Sequence, residues 1–254
     1  MAAVQRACVE ALELVETQIA VGVSELQEGD DPPSARAFFR AVELAPTCAI
    51  GHLYIGLLKA EAGYPVEGEE RLKLPCELDS KIRMGLFERV RLMALMGKMD
   101  EYERLLLRLK ASLGVSLSTR AVVELRVANW VGDRERARRV QSELEDAGAR
   151  TQEIGLALQF GRAVGGDADD EGSRSELLLQ AERVALLAQL ISEVMAVRGQ
   201  HAGALEVILR ALVGVLVDIV VWLERCPVFA ELRRLDGYGE IEAKLRRRAR
   251  AVWV

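Results

Sequence analysis

Residues that do chemistry are scarce in this chain of 254: it has two histidines, four cysteines and six prolines, and only 5% of its residues are aromatic. Neither His52 nor His201 has a second histidine, cysteine or carboxylate at metal-ligand spacing, which argues against a metal site. No Gly-x-Ser-x-Gly elbow and no Gly-x-x-x-x-Gly-Lys phosphate loop occurs, so neither an activated serine nor a nucleotide cradle is indicated. No catalytic residue, enzyme activity or cofactor is therefore expected. Cys8, Cys48, Cys76 and Cys226 show no short paired spacing and read as reduced thiols of a cytoplasmic chain. The amino terminus lacks a basic segment followed by an apolar run, so no signal peptide is expected. The longest apolar stretch, Val213 to Leu223, is broken by Asp218 and falls short of the roughly 20 residues a membrane span needs, so it reads as a buried helix.

What the chain does have is periodic glycine. Gly29, Gly63, Gly97, Gly132, Gly166 and Gly199 follow one another at intervals of 34, 34, 35, 34 and 33 residues. A fixed period in this range means that each unit is one supersecondary element that buries its apolar face only by stacking on its neighbours. Upstream of Gly63, Ile50, Leu53, Leu57 and Ala60 fall at helical spacing. Downstream of Gly199, Ala204, Ile208, Ala211 and Leu212 form a second helical stripe. Each unit is thus helix, turn, helix, with glycine supplying the left-handed residue that ends the first helix. Half of the residues are hydrophobic, which suits a mostly helical chain. Six such units fill about 204 residues and leave room for end caps but not for a separate catalytic domain.

Gly22, Gly29, Ser34, Phe38, Ala41 and Pro46 in the first unit, with Gly56 and Gly63 in the second, resemble the pattern of the tetratricopeptide repeat (TPR) family. The later units keep less of it: Gly132 with Ala137 and Gly199 with Ala204 preserve the glycine and the small residue five places on, whereas Gly97 is followed by Tyr102. Pro75, in a helix interior, and Glu171, in an acidic loop, mark the second and fifth units as irregular. The resemblance implies an all-α fold, a right-handed α-solenoid of about six TPR-like hairpins. The array is assigned to residues 1–225, and a C-terminal capping helix and tail to 226–254. The segment from Cys226 to Leu245 is similar to the short tail that closes repeat arrays in many bacterial multidomain regulators.

Charge is weakly acidic overall, with a formal net of −5. The run 165–173, from Gly165 through Asp167, Asp169 and Asp170 to Ser173, has carboxylates at alternate positions, but Leu178 stands where a calcium loop needs its closing glutamate, so it reads as a solvated acidic turn. The basic run 244–250 reads as the end of a capping helix, where positive side chains oppose the helix dipole, rather than as a nucleic-acid contact. The final Ala251-Val252-Trp253-Val254 is apolar and is expected either to pack back on the last hairpin or to join a second chain, which leaves a homo-oligomer open.

Counting back from the turn glycines places Arg91, Arg126, Asn129 and Trp130 near the inner face lined by the first helices, with His52 beside them. Forked, amide and stacking groups of this kind suit an acidic or backbone-rich peptide. The plain alternative is that Arg91 and Arg126 pair with neighbouring glutamates and Trp130 packs at a unit boundary. Leu53 and Leu57 stand where a chaperone-tail clamp of the family would place polar groups, so such docking is not expected. The resulting expectation is a non-enzymatic scaffold or adaptor that binds a protein segment in the concave groove. The alternative is a regulator that binds nucleic acid or a small signal, with the array as its frame.

Overall fold

In the computed structural model of the chain, the described residues are 11, 13–29, 31–112, 114–147, 185–214 and 220–253. The unit around Gly166 and the acidic run 165–173 lie outside them. The described residues contain helices and no strand. Five helical hairpins follow in order: α1 (Val15–Glu28) with α2 (Asp31–Leu44), α3 (Ala49–Glu61) with α4 (Pro65–Leu78), α5 (Met84–Leu95) with α6 (Met99–Ala111), α7 (Leu117–Val131) with α8 (Arg134–Asp146), and α9 (Ala185–Val197) with α10 (His201–Gly214). After them come α11 (Val220–Arg225), two single 3-10 turns (Pro227–Phe229 and Leu232–Arg234) and α12 (Tyr238–Ala251).

Each hairpin turns at one of the periodic glycines. Gly29, Gly63, Gly97, Gly132 and Gly199 have φ of 77°, 97°, 72°, 73° and 76°, the left-handed region that a Cβ would penalise. In four of the turns the next residue donates its N–H to the carbonyl five positions back: Tyr64 to Lys59, Lys98 to Met93, Asp133 to Ala128 and Gln200 to Met195, at 2.8–2.9 Å. These bonds satisfy carbonyls that the ending helix would otherwise leave open. Side chains cap three helix starts: Cys48 Sγ accepts from the Gly51 N–H, Ser116 Oγ from Thr119 and Asp133 Oδ1 from Arg136.

The first unit shows how the repeat residues work. Ser34 donates its hydroxyl to the Gly22 carbonyl at 2.7 Å. A Cβ on Gly22 would stand 2.6 Å from the Phe38 ring, so α1 and α2 meet closely enough to exclude any side chain there. Phe38 is fully buried and stacks on Tyr54 of α3 with centroids 4.5 Å apart. Packing within one unit and packing between units therefore share a residue. Pro75 does not end α4: the helix continues past it to Leu78, and the Asp79 N–H bonds to the Pro75 carbonyl. Pro75 is buried, and a Cβ built on Gly85 at the start of α5 would lie 3.4 Å from it.

The C-terminal part does not simply stack on the last hairpin. Helix α11 touches α3 and α5, and the turn Pro227–Phe229 touches α7 and α9, so this segment runs across the first helices of four hairpins. Trp222 and Phe229 are fully buried there and meet edge to face at 4.7 Å. Helix α12 then returns to the start of the array. Arg248 donates to the Gly29 carbonyl at 3.0 Å and pairs with Asp31. Trp253 meets Phe39 edge to face at 6.1 Å, and Val252 is buried among Ala35, Phe38, Ile55 and Leu58. The apolar tail thus packs on the first hairpin and the first helix of the second. In the basic run, Arg246 pairs with Glu224 and Glu242, and Arg248 closes the end of α1.

Candidate functional site

The first helices of the hairpins, α1, α3, α5, α7 and α9, together line a cavity of about 520 Å³. Among the described residues, no second helix contributes to its wall, as expected for the inner face of a curved stack. The wall is mostly apolar, with Tyr54 and Leu57 of α3, Phe87 of α5, Val122 of α7 and Leu187 and Leu190 of α9. At the mouth stand Met84 and Leu186, 48% and 43% exposed, which leaves apolar surface open to solvent.

Polar groups enter the wall at two places. Arg91 of α5 is the first. Its Nε donates to Glu88 Oε2 at 2.9 Å, and its Nη2 donates to Glu61 Oε1 of the neighbouring hairpin. Burial opposes the Arg91 charge, but Glu61 and Glu88 outweigh it and hold the guanidinium above its ordinary range. Glu61 shifts upward as well: burial is the main cause, the like charge of Glu88 adds to it, and Arg91 offsets only part. Two carboxylates share one guanidinium, so these directions agree.

Arg126 of α7 is the second. It is 1% exposed and reaches across to α9, where Glu193 is fully buried. Arg126 Nη2 donates to Glu193 Oε1 at 2.5 Å and to Gln189 Oε1 at 2.8 Å, and Nε donates to Glu193 at 3.1 Å. Trp222 of α11 donates its indole N–H to the same Glu193 oxygen at 2.7 Å. One buried carboxylate therefore joins α7, α9 and the C-terminal segment.

The structure brings Arg91 and Arg126 to the cavity wall and keeps the other three anticipated residues off it. Asn129 and Trp130 are buried on α7, with the Trp130 ring 5.3 Å from the Arg126 guanidinium. His52 is buried at the start of α3, and its Nε2–H donates to the Pro46 carbonyl at 2.8 Å. Both arginines are paired with glutamates, as the plain alternative for them held. Sequence reasoning did not pick out Glu61, Glu88, Gln189 or the apolar wall. The helical spacing of Leu53 and Leu57 marked α3 as an amphipathic helix, and the two divide: Leu53 lies in the core and Leu57 on the cavity. Among the described residues, no group of three histidine, cysteine or acidic side chains could hold a metal ion, and no helix is long and apolar enough to cross a membrane.

No protein-family model and no curated protein matches the chain. Among solved structures it is similar to a tetratricopeptide repeat protein from Parabacteroides merdae ATCC 43184, at 14% identity over 93% of this chain and 98% of that one, with a TM-score of 0.42. The assignment of the fold rests on the chain's own hairpins rather than on that likeness. Left-handed glycines at a period near 34 residues and first helices facing one cavity make it an α-solenoid of TPR-like hairpins.

Proposed function

We propose that the chain is a non-enzymatic scaffold that receives a segment of a partner protein in the groove formed by its first helices. The observation that carries this reading is the apolar cavity walled by the first helices of the five described hairpins, with Met84 and Leu186 exposed at its mouth. Burial of a partner's apolar side chains there supplies affinity, and the few polar groups of the wall set register. Arg91 is the residue assigned to direct contact. Arg126 acts through the spacing of α7 and α9, and Asn129, Trp130 and His52 support the helices that carry the wall.

The test uses exposed residues, because reversing the charge of Arg91 or Arg126 would break buried ion pairs and confuse misfolding with lost binding. Wild-type chain and the double variant Met84→Glu plus Leu186→Glu, matched for helicity, are used to capture proteins from native lysate. The expected result is a protein retained by the wild type and lost from the variant. An identical set of captured proteins from both would overturn the groove assignment.

A further inference from the structure

The cavity is walled from both ends of the described array: Leu26 of α1 and Leu186, Leu187 and Leu190 of α9 reach the same space. Its volume of about 520 Å³ lies inside the range of about 300–1,000 Å³ that small-molecule sites occupy. Such sites are mostly apolar, with a small number of polar groups among the lining side chains, and this wall has that composition.

The charges of the wall are matched within the protein. Arg126 meets Glu193 and Gln189, and Arg91 meets Glu61 and Glu88. The Ser118 and Thr119 hydroxyls both meet Ser116 Oγ, at 2.9 and 2.7 Å. Arg91 Nη1 and Glu61 Oε2 have no hydrogen-bond partner but are buried, so neither is offered to a molecule in the cavity. An ion that entered would therefore lose its hydration and gain no free counter-charge. What the cavity offers instead is hydrocarbon, from Tyr54 and Leu57 on α3, Phe87 on α5 and Val122 on α7. Water gains few hydrogen bonds from a wall of this kind, the condition under which apolar cavities take up small hydrocarbons.

We propose that the cavity binds a compact, uncharged, mainly hydrocarbon molecule, through burial against Leu57, Phe87, Val122 and Leu190. Each methylene group of such a ligand leaves water on entry, so affinity grows with the length of its chain until the space is filled. A carboxylate on the same chain cancels that gain, because it must be desolvated without a partner. The ligand lies against the wall that a docked segment would use, so the two exclude one another; this consequence alone rests on the reading of the groove as a docking site.

The experiment uses the full chain with its methionine methyl groups labelled with carbon-13, so that Met84 reports from the mouth, its signal assigned by its loss in Met84→Leu. The probes are 1-pentanol, 1-hexanol and 1-heptanol, with heptanoate at neutral pH as the charged counterpart. The expected result is a saturable shift of the Met84 methyl signal, with binding about threefold to fourfold tighter for each added methylene. Heptanoate should bind about tenfold or more weakly than 1-heptanol. Leu57→Trp, which fills the cavity, should weaken binding of 1-heptanol about tenfold or more, and Val122→Phe takes its place if the first variant loses helicity. No saturable shift with any alcohol up to its solubility limit, equal binding of heptanoate and 1-heptanol, or binding unchanged in the folded filling variant would overturn the proposal. The capture of a partner tests the groove separately, so failure here leaves that reading standing.

Discussion

Replacing Arg126 by methionine should be among the most damaging single changes in this chain. The guanidinium is 1% exposed, and it supplies the short bond of 2.5 Å and the second bond of 3.1 Å to Glu193, which is itself fully buried. Among the described residues, Glu193 without Arg126 keeps only the Trp222 indole N–H, and an uncompensated charge stays in the interior. Breaking a buried pair in this way costs about 3–5 kcal/mol, a large share of the stability of an ordinary domain. Adding Glu193→Gln removes the stranded charge while leaving a carbonyl to accept from Trp222, so Arg126→Met plus Glu193→Gln should recover about 2–3 kcal/mol of the loss. Urea unfolding measures this, followed by tryptophan fluorescence, which reads the environments of Trp130, Trp222 and Trp253, and by far-ultraviolet circular dichroism. A loss below about 1 kcal/mol for Arg126→Met, or a double variant no more stable than the single one, would refute the reasoning that this pair is buried and charged.

Three other perturbations have expected outcomes. Gly22→Ala places a methyl 2.6 Å from the buried Phe38 ring, so urea unfolding should show a loss of about 1–3 kcal/mol from overpacking. Trp253→Ala removes the contacts of that ring with Phe39 and Lys59, and should cost about 1–2 kcal/mol. Hydrogen exchange should speed up in α1, α2 and α12 and stay unchanged in α9 and α10; uniform loss of protection would contradict the closure of the array on its first hairpin. Glu61 titrates above its usual 4.5 in the folded chain, chiefly through burial, so the folded state binds that proton more tightly than the unfolded one. Stability from this group therefore falls as pH rises from the ordinary glutamate range through the folded value, and Glu61→Gln should flatten the fall; an unchanged pH profile of unfolding would contradict it.

Much of the fold was legible because its rules are local. A glycine that must adopt positive φ at a hairpin turn is visible wherever it recurs, and five of the six periodic glycines occupy such turns, the sixth lying outside the described residues. The small, hydroxyl and aromatic residues of the first unit were legible for the same reason: Gly22, Ser34 and Phe38 meet within one hairpin. Pro75 was harder, since its penalty is local but its tolerance comes from α5 packing against it. The candidate site was half legible. Counting from turn glycines located Arg91 and Arg126 on inner helices, but helical spacing assigns a face and not the partner a side chain finds there.

By itself the sequence determined the period and the helical hairpins, because steric limits on φ and the spacing of apolar residues act within a few tens of residues. The tertiary structure alone decided that α12 returns to the first hairpin, that Arg126 meets Glu193 sixty-seven positions away, and that Arg91 is shared by Glu61 and Glu88. Those outcomes depend on the curvature accumulated over the whole stack, which sets where its two ends meet and which side chains face each other across it.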